Sequence, residues 1–223
     1  LAAGSTHVLL DVPVGPTAKV RTETDALELS GHLESVGREI GLTVRAVRTD
    51  GRQPVGRGIG PALEARDVLA VLRGETNAPA DLRARACLLA GELLELGGVA
   101  PDGRGRDTAA DMLSDGRALA KFMAICEAQG GFREPPAAPL RHDLTAPSAG
   151  IVSSIDNRQL ARIAKLAGAP AARSAGVEMH VKLGQKVDKG EPLLTLHSEA
   201  RGELDYALAF ASANPHVIEL RAE

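Results

Sequence analysis

Aromatic residues are almost missing from this chain: it has no tryptophan, one tyrosine and three phenylalanines in 223 residues. An aromatic content of 2% leaves next to no surface on which nucleic-acid bases could stack, and a net charge of −3 supplies no basic footprint. General nucleic-acid binding is therefore excluded, and the core has to be aliphatic. No apolar run approaches the roughly 20 residues of a membrane-spanning helix, so no membrane partner is expected. Cysteine is scarce too. Cys87 and Cys126 stand in helical patterns rather than a spaced framework, which points to reduced thiols in a cytoplasmic protein and to a packing role for Cys87. The six histidines form no H-x-x-x-H pair and no C-x-x-C occurs, which argues against zinc. Neither a G-x-S-x-G elbow nor a P-loop is present.

What is there alternates between strand and helix. His7 to Val14 reads HVLLDVPV, a continuous apolar strand of the kind covered on both faces. A helix follows, with Thr24 as its cap, Leu27, Leu29, Leu33, Val36 and Ile40 as its apolar side, and Gly41 at its end. Leu42 to Val47 returns as a second strand, giving a crossover unit of a parallel sheet. Two longer helices are expected over Pro79–Leu96 and Asp107–Gln129, both packing elements; the arginines of the PDGRGRD loop between them are solvated.

Between the second strand and these helices lies QPVGRGIGPALEARD, Gln53 to Asp67. Gly56, Gly58 and Gly60 allow a close backbone approach, and Pro61 suits the first turn of a helix, where its missing N–H costs nothing. The free amides of that helix start favour an anion, whereas the carbonyls of the turn suit a cation. The turn also follows the carboxyl end of a strand, where open α/β sheets place ligands.

The second half has another texture. GGFREPPAAPL, Gly130 to Leu140, has five Pro or Gly residues and reads as a linker. Two short strands over Leu144–Ile155 and a helix capped by Asp156, with Leu160, Ile163 and Leu166 inward, come next. VKLGQKVDKGEPLLTLHS pairs strands around Gly184 and Gly190, in the manner of lipoyl-type barrel-sandwich hairpins, but without a carrier lysine at a tip; Lys186 and Lys189 are solvated. His180 and His197 can meet across this hairpin as partly exposed strand histidines. The expected architecture is α/β: a sheet domain over 1–132, a linker over 133–141, and a smaller α+β domain over 142–223.

Three ordered segments, Leu1–Thr22, Arg45–Leu69 and Ala175–Glu199, resemble the pyrimidine-nucleoside phosphorylase family along essentially the whole chain. PVGRGIGPALEARD is most similar to its long subtype, which includes AMP phosphorylases. The resemblance aligns Leu1 with a point inside the family's chain, so its phosphate loop and its base-binding groups are expected upstream and the chain is read as a piece of a larger protein. The implied parent activity is reversible phosphorolysis, nucleoside plus phosphate giving free base and pentose 1-phosphate, by a dimeric cytoplasmic enzyme acting on a small nucleoside or nucleotide. Alternatives are an AMP phosphorylase piece and a non-catalytic binding module. The piece itself is expected to be inactive and monomeric. The resemblance also implies a K⁺ or Ca²⁺ site, with the carbonyls of Val55 and Gly58 and the carboxylate of Asp67 as half of its ligands. Asp67 stands where the family has Glu.

Overall fold

The computed structural model describes residues 4–222, so the Leu1–Ala3 start of the first motif lies outside the described residues. The first elements are β1 (His7–Val14), α1 (Glu23–Glu39), β2 (Thr43–Asp50), β3 (Gly58–Ile59) and α2 (Pro61–Arg73). Three helices follow: α3 (Ala80–Leu96), α4 (Gly105–Ser114) and α5 (Arg117–Ala128). The remainder is β4 (Leu140–Thr145), β5 (Gly150–Ile155), α6 (Asn157–Leu166), β6 (Gly176–Met179), β7 (Lys186–Val187), β8 (Pro192–Ser198), α7 (Arg201–Ala213) and β9 (Ile218–Arg221). The class is mixed α/β. The chain divides into two compact units, one up to Gly51 and from Val71 to Phe132, the other Arg52–Ala70 with everything from Arg133 onward.

In the first unit, β1 and β2 pair in parallel, His7 opposite Thr43 through to Val14 opposite Asp50, with α1 as the connection. The helix cap is Thr22 rather than Thr24: its hydroxyl accepts from the amide of Asp25 at 3.1 Å. The face of α1 also differs from expectation. Ala26, Ser30 and Gly37 are buried, while Leu27, Leu29, Leu33, Val36 and Ile40 are exposed. Small residues face inward because the approach is close; a Cβ on Gly37 would lie 2.2 Å from the Val44 side chain. The Asp107–Gln129 helix is in fact two, α4 and α5, broken at Gly116, whose φ of 84° is left-handed. The carboxylate of Asp115 then accepts from the amide and guanidinium of Arg117, which starts α5. Cys87 is buried, as a packed thiol should be.

The second unit holds an antiparallel sheet in the order β3-β6-β8-β4 and a second sheet, β7-β5-β9. β6 and β8 pair across both glycine turns, Gly176 opposite His197. Between them β7 leaves to join β5, so the segment around Gly184 and Gly190 is shared by two sheets rather than forming one hairpin. β4 and β5 likewise part, β4 to β8 and β5 to β9. Helix α6 starts where Asp156 accepts from the amides of Arg158 and Gln159, and the three-and-four spacing after it sends Leu160 and Ile163 into the core. Both are fully buried with Val177, Met179 and Leu196, an aliphatic core under both sheets.

Candidate functional site

The glycine turn is built into the second unit by close backbone approaches. A Cβ on Gly58 would lie 2.4 Å from the carbonyl carbon of Leu63, and one on Gly60 2.4 Å from the Ala175 oxygen. Gly60 has a φ of 134°, so glycine is required there twice over. These approaches let β3 pair with β6, Gly58 opposite Glu178, and let the amide of Met179 donate to the Arg57 carbonyl at 2.8 Å.

The three residues expected on a cation are local to this turn. Val55 and Gly58 are half-buried, and Asp67, on α2, is buried at 5% exposure rather than a surface carboxylate. Its Oδ2 accepts from the amides of Arg57 and Gly58 at 2.6 and 2.8 Å, and its Oδ1 accepts from Nε and Nη2 of Arg57, both at 3.2 Å. Burial of a charge is tolerated because it is paired and hydrogen-bonded on both oxygens. The turn is held from β6–β7 as well. Lys182 Nζ donates to the carbonyls of Pro54 at 3.0 Å and Gly56 at 2.6 Å, and the amide of Leu183 donates to the Gln53 side chain at 2.8 Å. Sequence reasoning missed Arg57 and Lys182. Arg57 was findable, as a cation inside the glycine motif itself; Lys182 stands 126 residues from Gly56 and carries no local signal.

The helix start that could receive an anion is already capped. The Glu64 carboxylate accepts from the amide of Gly60 at 3.0 Å, and the amide of Ala62 donates to the Arg173 carbonyl at 3.0 Å. An acceptor thus already meets both of these donors.

A second polar region lies on the sheet of β6, β8 and β4. A cavity of about 580 Å³ is lined by Arg141, His142, Asp143, Glu178, His180, Glu191, Thr195 and His197. Thr195 donates to Asp143 at 2.6 Å, which leaves its oxygen to accept from His180 Nε2 at 2.7 Å. His197 is 1% exposed, not partly exposed as the strand pattern implied, and its Nε2 lies 3.2 Å from Glu178. That hydrogen bond from His197 holds the Glu178 carboxyl below the usual carboxylate range. His180 and His197 thus line one cavity, each tied to a different partner.

In the first unit, Asp11 in the second half of β1 accepts from Thr49 at 2.5 Å and from Arg85 at 3.3 Å, while Arg85 also donates to the Asp50 carbonyl at 2.8 Å. These contacts tie the carboxyl end of β2 to β1 and to α3.

Residues 151–217 match the pyrimidine nucleoside phosphorylase C-terminal domain family. Over 222 residues the chain is 61% identical to a protein of Acidovorax sp. (strain JS42) named "Putative thymidine phosphorylase 1", covering 100% of this chain and 43% of that protein. Proteins named "Putative thymidine phosphorylase" from Sphingopyxis alaskensis and Hahella chejuensis are each 59% identical, covering 99% and 100% of this chain and 43% and 44% of their own lengths. The chain thus spans less than half the length of these relatives.

Proposed function

We propose, from the premise that the chain belongs to the pyrimidine-nucleoside phosphorylase family, that it is the C-terminal part of an enzyme that cleaves pyrimidine nucleosides with phosphate. The observation that carries this is collinearity: identity of 61% extends over 100% of the chain, glycine turn and C-terminal domain together. In the reaction a phosphate oxygen bonds to the anomeric carbon as the C–N glycosidic bond breaks, and the bonding pair leaves with the base. Such a step needs a cationic or amide-rich cradle for phosphate and a donor for the departing base, because the sugar passes through an oxocarbenium-like state.

This chain's own groups serve positioning rather than bond breaking. The turn at Gln53–Gly60 is tied to Asp67 and Lys182, the first helix turn is capped by Glu64, and the free-standing cationic cluster that phosphate would need is left to the rest of the protein. Thymidine is preferred over AMP as substrate because the relatives carry the thymidine phosphorylase name. The whole protein acts as a cytoplasmic homodimer in this reading. The test compares two samples: the 223-residue chain alone should release no base from thymidine, uridine or AMP above a heat-killed control, whereas the longer gene product that contains it should release thymine from thymidine only when phosphate is present. Release by the short chain, or phosphate-independent release by the long one, would overturn the proposal.

A further inference from the structure

The turn between β2 and α2 has the ingredients of a cation site, yet the carboxylate of Asp67 and the carbonyls of Pro54 and Gly56 are already engaged. A carboxylate offers about four lone-pair positions. At Asp67 four donors meet them: two backbone amides at 2.6 and 2.8 Å and two guanidinium nitrogens of Arg57 at 3.2 Å. Ca²⁺ takes six to eight oxygens at about 2.3–2.6 Å, so a metal bound at Asp67 would have to displace Arg57 and both amides. With its carboxylate so engaged, the set of Val55, Gly58 and Asp67 lacks its one charged ligand for an ion in this arrangement.

A positive charge is nevertheless where the turn carbonyls need one. Gly56, at a φ of 77°, takes part in a tight turn, and its carbonyl, with that of Pro54, converges on the ammonium of Lys182. Two buried or half-buried carbonyls aimed at one point are satisfied either by a small cation or by a charged donor, and here the donor is attached to the chain. The neighbouring contacts reinforce the link, since Leu183 binds Gln53 and Met179 binds Arg57. We infer that the chain supplies its own cations to this turn, Lys182 to the carbonyls of Pro54 and Gly56 and Arg57 to Asp67, in place of a diffusible K⁺ or Ca²⁺ ion. A tethered ammonium is present at an effective concentration that no change of salt alters. The turn is therefore ordered whatever ions are in solution. The inference concerns the turn alone and stands whether or not the proposed activity is right.

The experiment uses the 223-residue chain and a Lys182→Met variant, which keeps the unbranched stem of the side chain and removes its ammonium group. Amide hydrogen exchange of residues 55–60 is followed by mass spectrometry, and K⁺, Ca²⁺ and Tl⁺ are titrated into the wild type by calorimetry. Expected are no heat of binding from any of the three ions, wild-type exchange unchanged between potassium and tetramethylammonium buffers, and exchange at least about tenfold faster in K182M, the factor that losing one charge-assisted bond carries. One equivalent of K⁺, Ca²⁺ or Tl⁺ bound by the wild type and lost in Asp67→Asn would overturn the inference in favour of a metal ligated by Val55, Gly58 and Asp67. Unchanged exchange in K182M would overturn it equally. Should K182M fail to fold, Lys182→Gln, which retains a neutral donor, is read in the same way.

Discussion

Gly58→Ala is the sharpest probe of how the glycine turn is built, because two effects of opposite sign compete there. Gly58 is not in a left-handed conformation, so alanine fits its backbone and, by restricting the unfolded chain, would on that count stabilise by about 0.4–1 kcal/mol. Against this, the new Cβ would lie 2.4 Å from the carbonyl carbon of Leu63, 2.6 Å from its oxygen and 2.7 Å from the amide nitrogen of Glu64. All three are backbone atoms of α2 and cannot rotate aside, so the turn must move, at about 1–3 kcal/mol for overpacking. Movement also strains the 2.8 Å bond from the Gly58 amide to Asp67, a charge-assisted bond inside a buried site, with about 1.5–3 kcal/mol at stake. The clash wins, for a net loss of about 2–5 kcal/mol. In a unit of this size the melting temperature should fall by about 10 °C or more. Equilibrium denaturant unfolding followed by far-UV circular dichroism measures this directly. Gly202→Ala is the control: it lies in the first turn of α7 with no atom within 4 Å of the added Cβ, and should stabilise by about 0.4–1 kcal/mol. A G58A protein as stable as the wild type would refute the tight-turn reasoning.

Two further outcomes are expected. Leu160→Ala removes a fully buried side chain from the core under α6 and should cost about 3–5 kcal/mol in urea unfolding; a loss under about 1 kcal/mol would mean that the core there is not packed as described. For Glu178, whose carboxyl is held below its ordinary value of 4.5 chiefly by His197, the sign runs as for any depressed carboxylate: its contribution is present above about pH 4.5 and is lost as pH falls through the lower folded value. Glu178→Gln should therefore lower stability near neutral pH and flatten the acid side of the stability curve, and a variant that differs from the wild type equally at pH 3 and pH 7 would contradict this.

Much of this architecture is written locally in the chain. The β1 strand ends where Gly15 and Pro16 interrupt an apolar run, and α6 announces itself through a capping Asp156 followed by apolar residues at helical spacing. The break between α4 and α5 was also legible, since Asp115-Gly116 is a turn signal inside a helical pattern, but the apolar periodicity on both sides masks it. The inward face of α1 was not. Leucine periodicity normally marks the buried side, whereas here a strand at close range selects Ala26, Ser30 and Gly37. At the candidate site the glycines and Asp67 are visible in one short motif. What satisfies them is not, because Met179 at the end of β6 and Lys182 and Leu183 in the connection after it lie more than a hundred residues away, and the burial of His197 depends in the same way on strand pairing that no single-chain pattern records.

The proposed chemistry rests on where the sugar ends up. Phosphorus-31 NMR of the longer gene product, incubated with thymidine and inorganic phosphate, separates phosphorolysis from hydrolysis in one spectrum. The prediction is a new sugar 1-phosphate resonance that grows in step with free thymine and is absent when the 223-residue chain replaces the longer product. Thymine released with no phosphate ester formed, or no release at all from the longer product, would contradict the assignment of this chain to a pyrimidine-nucleoside phosphorylase.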